Sequence, residues 1–359
     1  MNRLKIGEGL KVVELASVLA GPAVGMFFAE LGAEVIKVEN ARTGGDVTRQ
    51  WKLPVEQEGS PASSYYHAVN WNKKIVQADL SNSADRAMIL SLIADADILI
   101  TNFKDGDEQK FDLEAEKLAE QFPSLIIGRI TGFGTRSSRV AFDAVLQAES
   151  GLMSMNGLPG GPSLKMPVAL IDVIAAHQLK EAILLALWKR EKTGHGMIAD
   201  VALMTAAVVS LMNQSAAYLN TGFVPGKQGS LHPSIAPYGE TFICADGREI
   251  LLAVGSDQQF KKLTALLKLH ELENDLRFHS NAERVIHRAE LAVLLDGEFK
   301  KKPADEWLLA LHQYQIPAAP ISTIDEVFSR EENQSLILEQ VEEDGTLSRR
   351  CSTIAFTLK

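Results

Sequence analysis

Hydrophobic positions in the first 130 residues fall into short runs separated by longer, mixed segments. LKVVEL (10–15), EVIKVE (34–39), KIVQADL (74–80), DILITNF (97–103) and LIIGRIT (125–131) are brief and rich in β-branched residues, which is the pattern of buried strands. Between them, PAVGMFFAEL (22–31) and ADRAMILSLIADA (84–96) space their apolar residues as helices do. Strand, helix and strand repeated in this order predict a parallel sheet covered on both faces. GLPGGPSLKMP (157–167) is a loop by its Gly and Pro content. The long helix that follows puts Ala175, Leu179, Ala182, Ile183, Ala186 and Leu187 on one face, with Lys180, Lys189 and Arg190 off it. It ends in REKTGHG, where Gly194 is placed to stop it after cationic residues. MIADVALMTAAVVSLMNQSAAYL (197–219) reads as a strand running into a buried helix.

The pattern changes near residue 221. TGFVPGKQGSLHPSIAPYG is loop-like, and ETFICADGREILLAV carries strand, Asp-Gly turn and strand, a hairpin. Helical spacing returns at 257–269, 281–300 and 303–314. The division expected is a large α/β domain over 1–224 and a smaller α+β domain over 225–330. The last stretch, 331–359, contains VEEDGTLSRRCSTIAF, a second hairpin expected to return to the large domain.

Composition narrows the function classes. The 359 residues are more than one core usually serves. A net charge of -10 argues against a nucleic-acid partner held by phosphate neutralisation, while leaving room for a local basic pocket. The 2 cysteines, Cys244 and Cys351, form no CxxC pair, so neither a disulfide framework nor a zinc site is expected. The opening MNRLKIGEGLKVV has no apolar core of signal-peptide length, and no later segment is expected to span a bilayer. A cytoplasmic protein without membrane association is the expectation.

The first strand–helix–strand unit resembles a nucleotide-binding, Rossmann-like element, with Glu39 at the end of its second strand where such folds hold a ribose. Its glycine fingerprint reads AGPAVG, however, without the first glycine of GxGxxG. TGGDVTRQW (43–51) sets glycines and Arg49 in the next loop, where Arg49 pairing with nearby Asp46 is the plainer explanation. NWNKK (70–74) and TNFKDG (101–106) place polar and basic groups at the same sheet edge, suiting an adenine nucleotide. The 8 histidines form no HxH or HExxH pair, no metal is expected, and no GxSxG elbow is present. Within MPVALIDVIAAHQ (166–178), Asp172 is a lone carboxylate among apolar residues. It reads as a helix N-cap, as a carboxylate nucleophile, or as both.

Taken together, these segments resemble the class III coenzyme A transferases, the CaiB/BaiF family. LASVLAGPAVGMFFAELGAEVIKVENARTGGDVTRQW (15–51) is similar to the family's amino-terminal signature, and NWNKKIVQADL, ADILITNF and ITGFG follow in family order. So do FDAVLQAESGLMSMNG (142–157), the Asp172 helix with its KREKTGHG ending, PYGETFICADGREILLAVGSDQQF (237–260) and IPAAPISTIDEV (316–327). The resemblance implies that Asp172 is the nucleophile that accepts CoA from an acyl-CoA and passes it to a free carboxylic acid. CoA and acyl-CoA would then be substrates, with no tightly bound cofactor. It also implies that Val18 and Ala20 contact the nucleotide, and Asn102 and Phe103 the adenine and pantetheine. Lys110, Lys37 and Arg49 match recurrent basic positions, though Lys37 in mid-strand also suits a structural role.

The family's racemases place a His-Asp dipeptide ahead of the aspartate helix; here the residues are Phe142 and Asp143. Without that imidazole, two-base α-proton exchange lacks a partner, and CoA transfer is the favoured expectation. An acyl-CoA racemase, an NAD-dependent oxidoreductase and a non-catalytic CoA-binding protein are the alternatives. The resemblance further implies an interlocked homodimer. TRSSRVAF after GFG is shorter than the usual glycine–proline loop, and the sequence reaches Lys359 without a Gly-Glu-His tail segment, so the expectation is either a modified dimer or a compact, diverged member of reduced activity.

Overall fold

The computed structural model describes residues 5–57 and 59–358; the first four residues of the opening stretch and the final residue of the tail lie outside it. The parallel strands are β1 (Lys11–Leu15), β2 (Glu34–Asn40), β3 (Lys74–Ala78), β4 (Ile98–Thr101), β5 (Ile126–Thr131) and β6 (Ile198–Ala202). They lie in the order β3-β2-β1-β4-β5-β6. The order reverses between β1 and β4, so the chain leaves those neighbouring strands in opposite directions and opens a crevice beyond their carboxyl ends.

Helices Ala20–Glu30 and Leu170–Thr193 cover one face through Val24, Phe28, Ile171, Ala175, Leu179 and Ile183. Helices Ser83–Ala94 and Ala115–Gln121 cover the other, burying Ile89, Ile93 and Leu118 against Leu99 and Ile127. Gly128 in β5 permits close approach of the long helix, since a Cβ there would crowd the Leu179 and Ile183 methyls. Two readings of helix faces need correction. Lys180 is buried rather than off the packed face, its ammonium 5.1 Å from the centroid of the Phe27 ring. Helix Leu203–Val209 buries one face, through Leu203, Ala206 and Ala207, but Met212–Thr221, also expected inside, buries no residue.

The chain divides into two compact units, one reaching to Met153 and including Lys165–Pro225 and the stretch from Glu331 onward. The other comprises Ser154–Leu164 and Gly226–Arg330. Ser154–Leu164 therefore departs from the division expected at 224, because its partners lie in the second unit: Gly229 donates its N–H to the Gly157 carbonyl, and Lys227 its ammonium to Gly161. That unit has an antiparallel sheet of β7 (Tyr238–Ile243), β8 (Glu249–Ala253) and β9 (Ala318–Pro320). Helices Asp257–Leu267, Arg288–Phe299 and Ala304–Gln313 pack on it around Phe242, Phe299 and Trp307. In the first unit, the hairpin of β10 (Ile337–Val341) and β11 (Leu347–Cys351) returns to the sheet domain. The Trp71 indole donates to the Glu339 carbonyl, and Glu30 accepts from Ser352 and from Thr353.

Candidate active site

The crevice at the topological reversal holds a cavity of about 660 Å³ lined by 17–20, 102–106, 129–142 in part, Asp172 and Leu203. Three backbone features build its walls. The turn after β1 is clamped to the turn after β4: the Ser17 N–H donates to the Asn102 side-chain oxygen at 3.0 Å, and the Asn102 amide donates back to the Ser17 carbonyl at 2.8 Å. Val18 follows with φ of 73°, a left-handed conformation that costs a β-branched residue on the order of 1–3 kcal/mol. On the third wall, the Gly134 N–H donates to the Thr131 hydroxyl at 3.2 Å, folding the chain back after β5.

Asp172 is the third residue of helix Leu170–Thr193, not its N-cap; the cap position is Ala169, which offers no side-chain acceptor. The capping role falls to Asp143, whose carboxylate accepts the Ile171 N–H at 2.8 Å. Gln147, buried one turn further along Asp143–Glu149, donates to the other Asp143 oxygen at 2.5 Å and accepts the Met166 N–H at 2.8 Å. Asp143 and Gln147 thus fix both ends of the approach to Asp172, and the Asp172 carboxylate remains uncommitted. Among the described residues it accepts no hydrogen bond. It is 8% exposed. Burial, followed by the nearby Asp143 charge, raises its pKa to about 7. The helix N-terminus favours the anion, but withdrawal from water outweighs it here. Tyr65 lies within reach of the same field: burial and then the Asp172 charge push its phenol up to about 12, so it stays protonated and able to donate.

Of the residues singled out from sequence, Val18, Ala20, Asn102, Phe103 and Asp172 line this one cavity. Lys37, Arg49 and Lys110 do not. The Lys37 ammonium is buried between Glu14 at 2.9 Å and Asp46 at 3.1 Å and also donates to the Ala16 carbonyl. Burial alone would depress its pKa, but the two carboxylates raise it. Arg49 pairs with Glu39 through two hydrogen bonds of 2.8 and 2.9 Å, rather than with Asp46, and donates to the Tyr66 hydroxyl. Glu39 is consumed by that pair and by Gln77, so it is not free to hold a ribose. Lys110 is exposed, with its ammonium 4.8 Å from the Phe111 ring centroid. Sequence reading missed Asp143 and Gln147 as supports and Arg129 as a lining group. A lone cation in the apolar strand LIIGRIT was the signal for Arg129, which Asp200 holds at 2.6 Å beside Glu108 and Glu116. Among the described residues no group of His, Cys, Asp and Glu is arranged to hold a metal, and no helix is long and apolar enough to cross a membrane.

The fold and site define an α/β protein with a nucleotide-type crevice and an uncommitted carboxylate within it. Residues 8–358 match the model of CoA-transferase family III. The succinate–glutarate CoA-transferase of Agrobacterium fabrum (strain C58) is 37% identical over 354 residues, covering 96% of this chain and 88% of the relative. Human succinyl-CoA:glutarate CoA-transferase is 34% identical, over 92% of this chain and 74% of its own. The crystal structure of a CaiB/BaiF family protein from Brucella suis superposes with a TM-score of 0.85 at 38% identity, covering 98% and 93% of the two chains. The chain belongs to CoA-transferase family III. It is a CoA-transferase.

Proposed function

We propose that the enzyme transfers CoA from an acyl-CoA to a free carboxylic acid through a thioester on Asp172, and that donor and acceptor are small dicarboxylates. The observation that carries the mechanism is the Asp172 carboxylate: buried, accepting no hydrogen bond, and on the wall of a cavity bounded by Val18 and Asn102. A carboxylate is a weak nucleophile, so fixed geometry must supply much of the rate, on the order of 7–11 kcal/mol for a near-attack arrangement. The Asp143–Gln147 support and the rigid first turn of the helix provide that fixity.

An Asp172 oxygen attacks the thioester carbonyl, and the carbon–sulfur bond breaks to give a mixed anhydride and CoA thiolate. The thiolate attacks the Asp172 carbonyl carbon, the anhydride carbon–oxygen bond breaks, and the donor leaves as its carboxylate. The acceptor carboxylate then attacks aspartyl-CoA, forming a second anhydride and releasing thiolate. Attack of that thiolate on the acceptor carbonyl gives the new acyl-CoA and restores Asp172. Leu203, on the same cavity wall as Asp172, would keep bulk water from the anhydride carbons. Val18, Ala20, Asn102 and Phe103 would hold the CoA, with exposed Lys110 reaching its phosphates. Lys37 and Arg49 would support the walls from behind.

The dicarboxylate assignment rests on the relatives' substrates, succinate and glutarate. It is tested by incubating the enzyme with succinyl-CoA and glutarate and separating the CoA esters. Glutaryl-CoA and succinate in equal amounts are expected. Hydrolysis alone, or α-proton exchange without a new ester, would contradict transfer. A homodimer also belongs to this reading, supported by Leu185 and Trp188, which stand 64% and 62% exposed on the long helix.

A further inference from the structure

Val18 sits in a conformation that β-branched residues avoid, yet it forms part of the cavity wall. Something outside the cavity must hold it there. Its N–H points at the Asp46 carboxylate, 3.2 and 3.4 Å from the two oxygens. Asp46 is 4% exposed, contributes nothing to the cavity lining, and comes from the loop after β2, 28 residues away in sequence. It is itself fixed from two sides. One oxygen accepts the Thr48 N–H at 3.0 Å and the Thr48 hydroxyl at 2.8 Å. The other faces the Lys37 ammonium, whose remaining bonds go to Glu14 and the Ala16 carbonyl, two residues before Val18.

We propose that Asp46 is a positioning residue that acts through Val18: its anion, aligned by Lys37 and Thr48, holds the Val18 peptide left-handed and so sets the cavity wall for the nucleotide end of CoA. This rests on the CoA reading of the cavity given above. The Asn102 clamp secures the peptide on one side of Val18 at Ser17, and Asp46 secures Val18 itself. Loss of the Asp46 anion releases the strained residue toward an ordinary extended conformation and deforms the wall. Glycine at position 18 adopts the same φ without strain, so the need for Asp46 falls when Val18 is replaced by glycine. A residue that served only the stability of the core would show no such dependence.

The test is calorimetric titration of CoA into the full-length wild type, Asp46→Asn, Val18→Gly and the double variant, with steady-state kinetics on each. Asp46→Asn is expected to raise the Kd for CoA and the KM for acyl-CoA about tenfold, with kcat changed less than about threefold. In the Val18→Gly background the same substitution is expected to change Kd less than about threefold. Unchanged affinity in folded Asp46→Asn, or an equal loss in both backgrounds, overturns the proposal. Should Asp46→Asn fail to fold, Thr48→Val removes only the hydroxyl that aligns Asp46. A rise in Kd with Val18 present and none in the Val18→Gly background supports the role, and equal effects overturn it. Failure of the wild type to bind CoA would instead sink the CoA reading itself, and this proposal with it.

Discussion

The ionisation of Asp172 links burial to rate. With its pKa raised to about 7 by burial and by Asp143, Asp172 becomes the anion that the proposed mechanism requires as pH rises. We expect kcat/KM to climb between about pH 6 and 8 to a plateau, with a midpoint of about 7. Asp143→Asn keeps the acceptor for the Ile171 N–H but removes the neighbouring charge, so the midpoint should move to lower pH; a profile that stays in place would contradict the assigned cause. Stability follows the opposite sense. Unfolded Asp172 loses its proton near 3.8, whereas folded Asp172 holds it to about 7. The stability it contributes is therefore greatest below 3.8 and falls as pH rises through that window. Asp172→Asn should stabilise the fold at pH 8, by on the order of 2–4 kcal/mol, and hardly at all near pH 4. Thermal unfolding at the two pH values checks this.

At the scale of elements, the first strand and helix are joined through a buried charge cluster that no periodicity reveals. Glu14 in β1 is fully buried and bridges Lys37 and Lys73, at 2.9 and 2.7 Å. Burial, offset in part by Glu14, lowers the Lys73 pKa to about 8. Gly25 in the first helix leaves space for that carboxylate, and a Cβ there would overlap it. Gly→Ala inside a helix ordinarily gains about 1 kcal/mol. Gly25→Ala should instead destabilise, because displacing Glu14 from two buried ammonium groups costs about 3–5 kcal/mol; urea unfolding gives the sign directly. The central strands β1, β2, β4 and β5 were legible because strands buried on both faces read as nearly continuous apolar runs. β9 was not: its three residues end in proline and become a strand only by pairing with β8. The Asp143 cap was equally hidden, since capping rules look within a turn and this cap lies 28 residues upstream.

For the whole molecule, the parallel-sheet architecture was readable from the order of its segments, while the partners of the basic residues were not. In sequence Arg49 pointed to Asp46, Lys37 allowed either a binding or a structural role, and Lys180 lay off the apolar face of its helix. Only the fold brings Glu14, Glu39 and the Phe27 ring to them. The exposed apolar face of the long helix belongs to this scale as well. On the homodimer proposed above, Leu185→Glu with Trp188→Glu should shift sedimentation from dimer to monomer, and a wild type that sediments as a monomer, or an unshifted boundary, would contradict that interface. The central claim, that Asp172 carries CoA covalently, is tested most directly by intact-protein mass after exposure to succinyl-CoA. A CoA-sized adduct that hydroxylamine removes, present on wild type and missing from Asp172→Ala, is the predicted result. No adduct on a wild type that turns over, or the same adduct on Asp172→Ala, would contradict it.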